Sequence, residues 1–94
     1  MSKEIRDTIF IGKKPLMTYV TTVIIQLAIM PKITIKARGF SIGPAVDVAQ
    51  IVLRKTNLAF LIDDIKINSE SLVSTDGRNR EVSTIEITLK RTTG

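Results

Sequence analysis

The sequence predicts a small two-layer α/β sandwich, two helices laid on one face of a mixed sheet in the order β-α-β-α-β-β. Three patterns predict it. Apolar residues recur at spacings of three and four from Leu16 to Leu27 and again from Ile42 to Leu53, the signature of buried helical faces. Ile33, Ile35 and Ala37 alternate with Thr34, Lys36 and Arg38, the period of two of a half-buried strand. Asp76-Gly77, between two further strand-like stretches, is a hairpin signal.

Met1 to Asp7 reads as a flexible polar tail, and residues 8–94 as one domain. Thr8 to Ile11 is β-branched and aromatic, a short strand stopped by Gly12. Pro15 suits the first turn of a helix, where its missing N–H costs nothing. Leu16, Val20, Val23, Ile24 and Leu27 form that helix's buried face, Ile25 and Ile29 lie off it, and Pro31 ends it. The strand of Ile33, Ile35 and Ala37 follows, with Lys36 and Arg38 facing outward. Gly39 terminates it and Ser41 is the expected N-cap of the second helix. Ile42, Ala45, Val46, Ala49, Val52 and Leu53 make the second buried stripe, and Arg54 and Lys55 complement the helix dipole at its end. Ile62, Ile65 and Ile67 begin a long strand toward Val73, and Val82 to Leu89 is its hairpin partner, giving a β-hairpin arm around 73–82.

Ninety-four residues suffice for one core, and an apolar fraction of 44% with three prolines excludes a disordered chain. Fourteen Lys and Arg against nine Asp and Glu leave a net charge of +5, which favours anionic partners. Cysteine and histidine are both lacking, which removes disulfides, thiolate and imidazole metal sites and the usual general base. No metal, cofactor or enzymatic activity is expected, and the compartment is most simply intracellular. The uncharged run between Pro15 and Pro31 is shorter than the roughly 20 residues of a spanning helix and is interrupted by threonines and Gln26, so no membrane partner is expected.

Between Thr8 and Val46 there are five basic residues, Lys13, Lys14, Lys32, Lys36 and Arg38, and no acidic one. Cations grouped at element ends without carboxylates suit a polyanion better than a small substrate, which points to nucleic acid. Lys13 and Lys14 precede a helix N-terminus, whose free N–H groups favour anions and whose dipole does not stabilise cations, so their placement suits either function or plain solubility. Lys36 and Arg38 share an outward strand face, either simply a solvated face or a phosphate contact, and Gly39 beside them would admit a phosphate close to the backbone. Arg78 and Arg80, two apart, would project from one side of the hairpin arm, suited either to a nucleic-acid groove or simply to solubility and protection of the edge. Asp63 and Asp64, adjacent in a strand, would point to opposite faces and make a poor catalytic dyad. With Phe10, Tyr19, Phe40 and Phe60 as the only aromatics, stacking platforms for single strands are not expected.

Three segments resemble the archaeal Alba chromatin proteins: Ile11-Gly12-Lys13-Lys14-Pro15-Leu16-Met17-Thr18-Tyr19-Val20; Ile35-Lys36-Ala37-Arg38-Gly39 with Ala45-Val46-Asp47; and Val82-Ser83-Thr84-Ile85-Glu86-Ile87. The resemblance runs from about Ile9 to Lys90. It implies a fold similar to the C-terminal domain of bacterial translation initiation factor three. It also implies a chromosome-associated cytoplasmic dimer that coats double-stranded DNA with little sequence preference and binds RNA as well. Lys13, Lys14, Lys36, Arg38, Arg78 and Arg80 would be the nucleic-acid contacts, and Lys13 the acetylation position.

The chain departs from that pattern at three places. Phe40 stands where the family carries a second arginine, Pro44 where a lysine is usual, and Thr56 where an aromatic joins neighbouring dimers, with Phe60 close by. Phe40 and Phe60 are therefore the interface candidates, although Phe40 could also fill a gap against the second helix or wedge against bases. These departures suit a paralogue, acting as a homodimer or as a heterodimer with a more typical Alba subunit. An RNA-binding module of an RNA-processing or translation assembly, or a subunit that tunes a partner's assembly, are the alternatives.

Overall fold

A computed structural model describes residues 7–92. The expected N-terminal tail, apart from Asp7, and the last two residues of the domain lie outside the described residues. The elements are β1 (Thr8–Phe10), α1 (Leu16–Leu27), β2 (Lys32–Arg38), a 3-10 turn (Gly39–Ser41), α2 (Ile42–Lys55), β3 (Phe60–Val73) and β4 (Asn79–Arg91). They form one four-stranded sheet in the order β1-β2-β4-β3, with β1 parallel to β2, and β4 antiparallel to both of its neighbours. The α/β sandwich and its order of elements are those the periodicities predict.

The core lies between the two helices and one face of the sheet. Val20, Val23 and Leu27 from α1, Val48 and Val52 from α2, Ile33 and Ile35 from β2, and Ile87 and Leu89 from β4 are its fully enclosed large side chains. Each contributes about 1.5–3 kcal/mol relative to an exposed position. The α1 stripe is as expected, with Tyr19 also buried in it. In α2 the buried set is Ala45, Val48, Ala49 and Val52, so Val48 replaces Val46, which is exposed.

Helix ends differ from expectation in detail. α1 stops at Leu27, before Pro31, because the residue preceding a proline is disfavoured in the helical region and the chain leaves through the Ala28-Ile29 turn. Ser41 does occupy the N-cap of α2 but makes no side-chain capping hydrogen bond, since its own backbone is already helical in the preceding 3-10 turn. That turn is entered at Gly39 with φ of 56°, a conformation only glycine adopts without strain.

In a regular strand Ile62 and Ile65 would face opposite ways. A β-bulge between Ile62 and Asp64 inserts Asp63 as an extra residue, so Ile62, Ile65 and Ile67 oppose Leu89, Ile87 and Ile85 and all face the helix side. The same bulge corrects the expectation that Asp63 and Asp64 point apart. Asp64 pairs with Thr88 on the outer face, and Asp63 reaches over that face to Lys90 Nζ at 3.2 Å and Lys32 Nζ at 3.3 Å. Hydrogen bonds from Lys90 and then Lys32 hold the Asp63 carboxyl below the usual carboxylate range. A carboxylate so held stays ionised, the reverse of a general base poised near neutrality.

Because its folded pKa is depressed, Asp63 stabilises the fold above the unfolded value of about 3.9, and that contribution is lost as pH falls through the folded value. Asp63→Asn should therefore flatten the acid limb of a stability-versus-pH curve below about pH 4. A curve of unchanged slope there would place the acid sensitivity in other carboxylates.

Candidate nucleic-acid interface

The predicted contact residues gather at one end of the sandwich. β1 runs parallel to β2, and Ile11 donates its N–H to the Lys36 carbonyl at 2.9 Å, so Gly12-Lys13-Lys14 leaves the sheet beside Lys36 and Arg38. The loop is held by Tyr19 of α1, whose buried hydroxyl accepts from Gly12 N–H at 2.9 Å and Lys14 N–H at 3.1 Å. Lys13 and Lys14 are exposed, and among the described residues no carboxylate pairs with either. Sequence reasoning placed Tyr19 only in a motif. Its signal was a lone hydroxyl within an otherwise apolar helical stripe.

The arm extends from this same end. β2 finishes at Arg38, opposite Thr84, which pairs in turn with Asn68. Beyond that row β3 and β4 continue alone from Ser69 and Ser83 to Val73 and Asn79. Five residues at roughly 3.3 Å each carry the ribbon about 17 Å past the body. The 73–82 segment comprises the tip loop and most of the β4 side of this ribbon. Its tip is the five-residue loop from Ser74 to Arg78, closed by Ser74 N–H on the Arg78 carbonyl and Gly77 N–H on the Ser74 carbonyl, both at 2.9 Å. Gly77 takes φ of 83° there. The Ser74 hydroxyl and the Arg78 N–H both donate to Asp76 and depress its pKa.

Arg80 lies in β4 opposite Leu72, whereas Arg78 belongs to the loop, with Nε 3.8 Å from Asp76 Oδ2. The two arginines are thus a strand residue and a tip residue, not two residues of one ribbon face.

The outward cations are not free of carboxylates as their local sequence implied. Antiparallel pairing sets Glu86 opposite Lys36, with Nζ to Oε1 of 3.9 Å, and Glu70 reaches Arg38 at 3.4 Å. These acids lie 50 and 32 positions downstream, so only the sheet brings them to the cations. All four side chains are substantially exposed, where such pairs contribute about 0–1 kcal/mol. Phosphate oxygens can replace the carboxylates at little cost.

The two aromatic candidates separate. Phe40, in the 3-10 turn, is fully exposed, which rules out a gap-filling role against α2. Phe60 opens β3, is 7% exposed within the core and lies under the Arg91 guanidinium at 5.2 Å, so it presents little surface to a partner. The short connection after α2 brings it inward. Thr56 ends α2 by donating its hydroxyl to the Val52 carbonyl at 2.7 Å.

One further surface is apolar. Ile65 and Ile67 are on the helix side of β3 but beyond the helices' reach, and Ile67 is 76% exposed. With Ile42 of α2, Ile67 lines a groove of about 290 Å³, and Val46 lies one helical turn along from Ile42. β3 is also a long edge strand, a surface that proteins usually cover. No helix among the described residues is long and apolar enough to cross a membrane.

The sequence model of the Alba family matches residues 7–69. DNA/RNA-binding protein Alba of Nitrosopumilus maritimus is 68% identical over 92 residues, covering 97% of each chain. The protein of the same name from Nanoarchaeum equitans is 52% identical over 85 residues, covering 86% of this chain and 93% of its own. Among solved structures, Alba from Thermoplasma volcanium superposes with a TM-score of 0.83 at 45% identity, over 89% of this chain and 99% of that one. ALBA1 from Trypanosoma brucei shares the fold, with a TM-score of 0.74 at 19% identity over 95% of this chain and 72% of that one.

Tyr19→Phe should cost about 1 kcal/mol of stability, the usual worth of a hydrogen bond of this kind, and should speed amide exchange at Gly12 and Lys14 selectively. Exchange at those two amides equal to that of the native chain would show that the loop is held by other contacts.

Proposed function

The chain belongs to the Alba family, and from that premise we propose that it binds double-stranded DNA with little sequence preference, and RNA as well, as a dimeric architectural protein of the chromosome. The observation that carries this reading is the gathering of Lys13, Lys14, Lys36 and Arg38 at the end from which the arm with Arg78 and Arg80 projects. The relatives named DNA/RNA-binding protein Alba support it. Lys13 and Lys14 meet the phosphates first, because among the described residues neither is ion-paired with a carboxylate. Lys36 and Arg38 follow by exchanging Glu86 and Glu70 for phosphate. The arm follows the groove of the duplex with Arg80 along its strand and Arg78 at its tip. Lys13, exposed in its loop, is the acetylation position, where removal of its charge would weaken the grip on phosphate.

A second copy, or an Alba paralogue, covers the edge of β3 and the exposed apolar side chains of Val46, Ile65 and Ile67 beside it. Pairing there would shield the exposed isoleucines. Phe40, fully exposed at the cationic end, is the contact between neighbouring dimers in this reading.

Binding should be electrostatic. If a dimer neutralises about 6–10 phosphates, affinity for duplex DNA should fall by roughly 10³–10⁵ between about 50 and 200 mM salt. Replacing Lys13 or Lys14 with alanine should reduce the slope of log affinity against log salt by about 0.9 for each phosphate left without its cation, with the fold intact. A salt-independent affinity, or a double variant with the native slope, would defeat the reading. Separately, Ile67→Asp should yield a monomer in sedimentation. A variant that remains dimeric would put the subunit contact elsewhere.

A further inference from the structure

A groove of about 380 Å³ lies on the outer face of the sheet, lined by Phe10, Lys36, Arg38, Glu70, Thr84 and Glu86, with the inner-face side chains of Ile11, Ala37 and Ile85 behind them. That volume is at the lower end for small-ligand pockets. Its chemistry exceeds what a grip on duplex phosphates needs. Phe10 is 66% exposed on the outer face of the sheet, directly beside Lys36. Two carboxylates line the same groove, and carboxylates repel phosphates.

Phe10, Lys36 and Glu86 stand in a single row across β1, β2 and β4. Strands about 4.8 Å apart put Phe10 and Glu86 roughly 10 Å from each other, a span that a purine and one hydrogen bond bridge. In the free protein the Lys36 ammonium occupies this row, 5.9 Å above the Phe10 ring and 3.9 Å from Glu86 Oε1. Both separations are long for their kind, so Lys36 is easily displaced.

We propose that this groove is a site for one unpaired guanine nucleotide of a single-stranded segment, a proposal that rests on the nucleic-acid-binding reading above. The base stacks on Phe10, which a paired base inside a duplex could not do. Lys36 swings from the ring to the nucleotide's phosphate, joined by Arg38, and Glu86 is left facing the base edge. An ionised carboxylate only accepts hydrogen bonds, and it accepts two in parallel. Guanine presents two adjacent donors, N1–H and the N2 amino group, on its pairing edge. Adenine and cytosine set a ring-nitrogen acceptor beside their amino group, and uracil and thymine flank one N–H with carbonyl oxygens. The carboxylate therefore selects guanine. The sugar makes no contact that the groove demands, so RNA and DNA strands share the chemistry.

The test is fluorescence anisotropy with labelled octauridylate and its three variants bearing a single central guanine, adenine or cytosine, the matching oligothymidylate DNA series, and a blunt duplex. The guanine oligomer should bind on the order of fivefold tighter than the others in at least one sugar series. Phe10→Leu should weaken the single-stranded complexes by on the order of fivefold, leaving the duplex affinity unchanged. Glu86→Gln should abolish the guanine preference without weakening the duplex. Equal affinity for all bases in both series, or a preference that survives both substitutions, overturns the site. Failure of the native chain to bind the duplex overturns the proposed function instead, and the single-stranded series still reports on the groove.

Discussion

Pairing on both sides of β4 is the constraint on which the rest of the structure depends. Its residues from Thr84 to Lys90 hold β2, and its whole length from Asn79 to Arg91 holds β3. The shared segment supplies Ile85, Ile87 and Leu89 to the core beneath the helices. The unshared segment has no third strand and no helix to pack against, so it leaves the body as the arm. Core, outer face and arm are thus consequences of one difference in length between β2 and β4.

The same strand governs the electrostatics. By facing Lys36 with Glu86, and by positioning β3 so that Glu70 meets Arg38, it supplies the outer cations with internal counter-ions. At the exposure of these side chains, the pairs orient more than they stabilise. Lys13 and Lys14 differ because their loop is positioned through its backbone, by the Tyr19 hydroxyl, which leaves their ammonium groups open to solvent.

The bulge at Asp63 joins the two faces. It returns Ile65 and Ile67 to the helix side, where they stay 52% and 76% exposed, and sends Asp63 to the outer side, where it ties Lys32 to Lys90. One inserted residue therefore gives both an apolar edge that suits a second subunit and an ionic clamp at the end of the sheet opposite the arm.

What the sequence by itself determined was whatever depends on near neighbours along the chain. The helical stripes, the alternation of β2 and the hairpin were legible because periodicity reports which face of an element is apolar. The lysine pair and the central Lys36-Ala37-Arg38-Gly39 segment were legible as a family resemblance. Only the tertiary structure decided which apolar residues found a cover: Val48 rather than Val46 entered the core, Phe60 was buried, and Ile67 and Phe40 were left exposed. It alone brought Glu70 and Glu86 to cations far upstream, and it alone opened a groove at Phe10. Burial and ion pairing are set by contacts between elements, and strand order and register, which periodicity does not encode, decide which elements meet.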